Sequence, residues 1–438
     1  MSDAYSHRAV WRIAAPMVVS SVTVPLLGMV DTAVMGHLPE SFYLGAVAAG
    51  ATIFSVLFMG LNFLRMGTTG VTAQDYGAGD NAGVREALGQ SLLIALLFSA
   101  AIITLQRPII EASLSLLAPS SEVNFYAREY FSIRVWSAPA SLGNFVLIGW
   151  LIGMQNARGP LIIMLMINLT NIAFDLIFVL LAGMTADGVA LATLLAELIG
   201  FAVGAVFVRA ELNNHPGNWA QTRLFDPGRY KRLLNINANL LLRTMALMFV
   251  FAFITAQGAR MGDVILAVNA LLMNFQLFLS YALDGIAYSA EALVGKAIGS
   301  RDRPGMLLAV KRTLQWSLLF SCCFCVVYFL AGEYIIDLLT SIGSIRLAAR
   351  EFLPWLIIAP LISVWSFLYD GVFVGATRSK EMMLIMVGSM ALIFLPTWLI
   401  SSTLGNHGLW LAFMMFMAAR GVGMHVWFRR ILQEPISH

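Results

Sequence analysis

The chain is written in long apolar runs separated by short polar breaks. The stretch "SLLIALLFSAAIITL", Ser91 to Leu105, is representative, and comparable runs begin at Leu161 and Leu314. Each approaches the ~20 residues that carry an α-helix across about 30 Å of hydrocarbon. The apolar positions do not alternate with polar ones every second residue, as the strands of a membrane β-barrel would. The pattern predicts twelve spanning helices at 13–37, 43–66, 87–108, 125–154, 160–183, 188–210, 234–259, 263–298, 306–330, 347–376, 382–402 and 407–430. Several exceed the bilayer thickness, so tilt or extension beyond the hydrocarbon is expected. The first run is read as a retained span. It follows His7, Arg8 and Arg12 but continues past Pro16 and Pro25 for more than 20 residues, whereas the apolar core of a cleaved signal is about 7–15 residues.

Composition agrees with lipid as the solvent. Of 438 residues, 59% are hydrophobic and 12% charged, with mean hydropathy +0.80, against about 25% charged in soluble domains. Arginine and lysine crowd one side of the predicted spans, including Arg85, Arg158, Arg229, Lys231, Arg232, Arg301, Arg303, Arg429 and Arg430. The other side keeps Arg107, Arg128, Arg134, Arg260, Arg346 and Arg350. The richer side is expected to be cytoplasmic, which places both termini inside. The net charge of +3 expresses this bias, and no nucleic-acid partner is expected. Cys322, Cys323 and Cys325 share one turn of a predicted span and read as packing residues. With the six histidines scattered, neither a metal site nor a bound cofactor is expected.

The sequence is also written twice. "DTAVMGHLPESFYLGAVAAG" from Asp31 parallels "ITAQGARMGDVILAVNALL" from Ile254; "AQDYGAGD", ending at Asp80, parallels "GKAIGSRD", ending at Asp302. "IGWLIGMQNARGP" sets Gly149 and Gly153 against Gly371 and Gly375 in "YDGVFVGATRSKE", and Gly188 matches Gly408. The offsets are 223, 222, 222 and 220, half the chain. Two six-helix lobes are therefore predicted, 1–210 and 233–438, joined by a polar linker at 211–232. An even number of helices per half makes the repeats parallel, an architecture of secondary transporters. No glycine–lysine nucleotide loop is present, so an ion gradient is the expected energy source and no enzymatic activity is expected.

These residues carry a family resemblance. "PMVVSSVTVPLLGMVDTAVMGHL", "TTGVTAQDYGAGD", "GWLIGMQNARGP" and "DGVFVGATR" resemble, in register over the whole chain, the multidrug and toxic compound extrusion (MATE) family, and most closely its DinF-like bacterial branch. The resemblance implies twelve helices in two six-helix bundles arranged as a V. It also implies an exporter of the bacterial inner membrane that exchanges small organic, often cationic, compounds for protons or sodium. A monomer is expected.

Ionisable side chains within a membrane are functional candidates by default. Here they are Asp31, Arg65, Asp175, Glu197, Arg243, Asp284, Glu291, Asp370 and Arg420, the three arginines reading as snorkelling or structural pairing. On the fifth span Asn168, Asn171 and Asp175 are spaced i, i+3, i+7 and share a face. The family's N-lobe cavity has an Asp on helix one, an Asn on helix four, an Asn and Asp on helix five and a Thr on helix six; Asp31, Asn144, Asn171, Asp175 and Thr193 match it. A carboxyl group in low-dielectric surroundings resists ionising, and a second one nearby reinforces this. Amide and hydroxyl neighbours can serve both the charged and the protonated form. These five residues are the expected cation-coupling site, with the proton as the ion. Pro16 and Pro25 weaken the helix that bears Asp31 and are expected to let it bend.

In the second half Tyr281, Asp284, Tyr288 and Glu291 line one helix face, and Asp370 follows Ser363 and Ser366 at the same spacing. Acids beside aromatic rings suit a lipophilic cation, so these five are expected to bind substrate. Asp370 matches the helix-ten Asp of sodium-coupled relatives, but their helix-seven Glu has no counterpart in "FVFAFITAQ", which disfavours sodium. Sodium-coupled antiport and lipid-linked-precursor flipping remain as alternatives, the latter requiring a strongly cationic cavity. An intramembrane aspartyl hydrolase is a remote one, because its GxGD partner motif is absent.

Overall fold

A computed structural model describes residues 2–35, 40–217 and 226–433, with side chains outside 2, 3, 24–35 and 41. Among the described residues eleven helices are long and apolar enough to cross a membrane; helix α1, His7–Met35, precedes them. The chain packs as two compact units, Val19–Arg232 and Met1–Val18 with Leu233–His438.

The first unit takes the later part of α1, then α2 (Ser41–Leu61), α3 (Phe63–Ala78), α4 (Asn81–Thr104), α5 (Gln106–Leu117), α6 (Ser121–Arg134), α7 (Ala138–Gly153), α8 (Arg158–Asp175) and α9 (Ala186–Asn214). The second holds most of α10 (Pro227–Arg260), then α11 (Asp263–Gly299), α12 (Arg303–Leu339), α13 (Gly343–Gly375), α14 (Ser379–Gly388), α15 (Leu395–Ser401) and α16 (Asn406–Ile431). The core of the second unit gathers Val250, Leu272, Phe275, Leu356, Phe394, Trp410 and Phe416, all buried.

The duplication read from the sequence reappears as packing. A Cβ on Gly149 would strike the Arg65 carbonyl, and one on Gly371 the Ala287 carbonyl. One turn later a Cβ on Gly153 would lie 3.0 Å from the Ala73 nitrogen, and one on Gly375 3.0 Å from the Gly295 nitrogen. Only glycine lets two helix backbones approach this closely. Asp80 caps α4 through the Gly83 N–H at 2.9 Å, and Asp302 caps α12 through Gly305 at 2.8 Å. The residue before each cap, Gly79 or Arg301, has positive φ, 71° and 57° respectively.

Three features depart from the hydropathy pattern. The second span does not end at residue 66: after a small break at Asn62, α3 continues to Ala78. Its polar residues lower the hydropathy, but Arg65, Thr68, Thr69 and Thr72 are buried inside the unit rather than facing lipid. A separate amphipathic helix, α5, follows the third span. The N-terminus also packs otherwise than the half-chain division suggests. His7 accepts from Trp316 Nε1 at 3.0 Å, Trp11 sits 4.9 Å from the Trp316 ring, and Val18 fills the space beside Gly285. The later end of the linker is anchored at Arg229, which meets Glu86 Oε2 at 2.5 Å, and the earlier end by Arg85, which donates to the Leu212 and His215 carbonyls; residues 218–225 of it lie outside the described residues.

Candidate functional site

In the first unit, α8 turns Asn168, Asn171 and Asp175 inward at 8, 1 and 0% exposure, as the i, i+3, i+7 spacing requires. Asn168 Nδ2 donates to Thr23 Oγ1 at 2.7 Å. In the amide orientation that suits both neighbours, Asn171 Nδ2 donates to Asp175 Oδ2 at 3.1 Å. Its oxygen then receives the Thr193 hydroxyl at 3.1 Å. Thr193 hangs from α9 and so ties that helix to α8. Immediately after Asp175 the helix widens into a π-helical turn, Leu176–Leu181. Such turns re-aim side chains and recur at functional sites.

Asn144, on α7, is buried but belongs to another contact. Its Nδ2 donates to Glu197 Oε2 at 2.8 Å and to the Glu197 carbonyl at 3.0 Å. The sequence marks Glu197 as an intramembrane acid without giving it a role. Its spacing of four from Thr193 is the available signal, because it sets both side chains on one face of α9. Asp31 and Pro25 lie on α1 within residues 24–35, outside the described side chains. The helix runs unbroken through Pro16 and Pro25.

The second unit holds a different set. Tyr281, Asp284 and Tyr288 are half-buried on α11, and Glu291 is buried at 3% exposure. Ser280 Oγ donates to Asp284 Oδ2 at 3.3 Å. Asp370 is engaged by two guanidinium groups. Arg243, from α10, pairs with its Oδ2, and Arg420 Nη2, from α16, reaches the same oxygen at 2.9 Å. All three residues are buried. A free anionic contact for a cation, as expected of Asp370, is therefore not what the unit presents: two guanidinium groups more than offset its charge. The pairing role expected for Arg243 and Arg420 is what their contacts show. Cys322 and Cys323 are exposed on α12, and among the described residues no cluster of three His, Cys, Asp or Glu could hold a metal ion.

The MatE family model matches residues 16–177 and 240–399, one match in each half. The chain is 45% identical to DNA damage-inducible protein F of Escherichia coli (strain K12), over 97% of this chain and 92% of that one. It is 24% identical to a probable multidrug resistance protein NorM of Thermotoga maritima, over 75% and 71% of the two chains. Among solved structures, the outward-facing conformation of a multidrug resistance MATE family transporter of the MOP superfamily superposes with a TM-score of 0.87 at 19% identity, covering 98% of this chain and 96% of the other. With twelve helices in this arrangement, a family match in each half and a full-length relative, the chain belongs to the MatE family, the multidrug and toxic compound extrusion transporters.

Proposed function

We propose that this transporter sits in a bacterial inner membrane with both termini cytoplasmic and exports small organic, often cationic, compounds in exchange for protons. The observation that carries the reading is Asp175, with no exposed surface and hydrogen-bonded within a set of neutral amide and hydroxyl groups. A carboxyl group so placed can hold a proton and release it when its surroundings change. Asn171 serves either state, donating to the carboxylate or accepting from the acid. Asp31, brought in by the family pattern, is the second carrier. Half-buried Asp284, Tyr281 and Tyr288 offer a cation both charge and ring faces.

Sodium is disfavoured on electrostatic grounds. Its carboxylate ligand in related transporters corresponds to Asp370, and here Arg243 and Arg420 occupy that oxygen. A hard cation needs oxygen ligands with net negative charge; two guanidinium groups on one carboxylate leave the opposite. The seventh span, which bears Arg243, has no acid in "FVFAFITAQ", the stretch where sodium-coupled relatives carry theirs.

Proteoliposomes in sodium-free buffer test the reading. An imposed pH gradient is expected to drive uptake of a lipophilic cationic dye. Asp31→Asn and Asp175→Asn, nearly isosteric with the wild type, are expected to fold, insert and fail to transport. Dependence on added sodium, indifferent to collapse of the pH gradient, would refute proton coupling.

A further inference from the structure

Glu197 is a carboxylate of the first unit to which the reading above gives no part. It stands on α9 one turn beyond Thr193, about 6 Å along the helix. Its Oε2 accepts from Asn144 Nδ2 at 2.8 Å. Among the described residues, the charged group facing it from the packed helices is Arg134 of α6. That guanidinium is held elsewhere, against the Tyr130 hydroxyl and 4.9 Å from the Phe54 ring centre. The other half of the Asn144 amide completes the picture. Its Oδ1 is buried and has no hydrogen-bond partner. Burying an amide oxygen without a partner is costly, so the arrangement calls for a donor in some state of the protein.

We propose that Glu197 is a further proton-holding site of this transporter, with Asn144 reading both of its states. This rests on the proton-antiport reading. When ionised, Glu197 accepts from Asn144 Nδ2, as seen here. On protonation, hydronium gives its proton to the carboxylate and leaves as water, and the new O–H donates to Asn144 Oδ1, the acceptor that stands idle in this structure. Deprotonation returns the bond to Nδ2. Asn144 thus belongs to the coupling machinery through Glu197, while Asn171 and Thr193 serve Asp175 beside it.

The test measures protons released when tetraphenylphosphonium is added to purified protein in weakly buffered detergent solution. Glu197→Gln keeps an acceptor for Asn144 and removes only the titration. Release per bound cation is expected to fall by about a third, one of three carriers with Asp31 and Asp175, and the pH profile of transport to shift. Asn144→Leu, which leaves Glu197 without its amide, is expected to move the pH midpoint of release even if the Gln variant proves too unstable to purify. Unchanged release and an unchanged profile in the variants overturn the proposal. Wild-type protein that binds the cation but releases no proton overturns the antiport reading itself, and is told apart by that control.

Discussion

Asp370→Asn gives the sharpest separation between two roles for that carboxylate. Asp370 is 9% exposed, Arg243 8% and Arg420 2%. Both cations converge on its Oδ2. The asparagine keeps the shape and an acceptor oxygen but removes the charge, leaving two buried guanidinium groups facing a neutral amide. Breaking a buried ion pair by removing one partner costs about 3–5 kcal/mol. For a unit of this size that corresponds to a loss of melting temperature on the order of 10 °C. The assay is the fraction of protein eluting as a monodisperse peak after heating in detergent. Combining Asp370→Asn with Arg420→Met removes one of the stranded cations and is expected to recover at least half the loss, a non-additivity that residues in contact produce. An Asp370→Asn variant that melts like the wild type, with weaker binding of cationic compounds as its only defect, would refute the counter-ion role. The carboxylate would then be a ligand contact, as its sequence position alone suggests.

The duplicated helix crossings predict paired effects. Gly149→Ala and Gly371→Ala each place a methyl group against a backbone carbonyl that cannot swing aside, so each is expected to lower stability by about 1–3 kcal/mol; equal melting of either variant and the wild type would contradict the crossing. The caps do likewise on a smaller scale. Asp80→Ala and Asp302→Ala each lose the bond to Gly83 or Gly305, worth about 1 kcal/mol, and serine at the same positions is expected to restore most of it in the same heating assay.

Much of this protein is legible one residue at a time. Hydropathy locates the spans, because a helix in hydrocarbon must satisfy its own backbone and cover itself with apolar side chains over a set length. The duplication is legible because an offset of 222 between glycines survives in the string, and the structure shows why glycine stands there: Gly149 and Gly371 each admit a neighbouring backbone. The Asn168, Asn171 and Asp175 face follows from helical periodicity alone. What the string could not specify is which partners lie opposite. Asp370 meets Arg243 across 127 residues and Arg420 across 50, and Asn144 meets Glu197 across 53. Whether a buried acid is a free ligand or an internal counter-ion depends on charges a few ångströms away, since Coulomb energy in a low-dielectric interior is set by distance in space. The same holds for the polar α3, which hydropathy cuts short: its threonines are buried in protein, and that solvent exists only once the helices around it have packed.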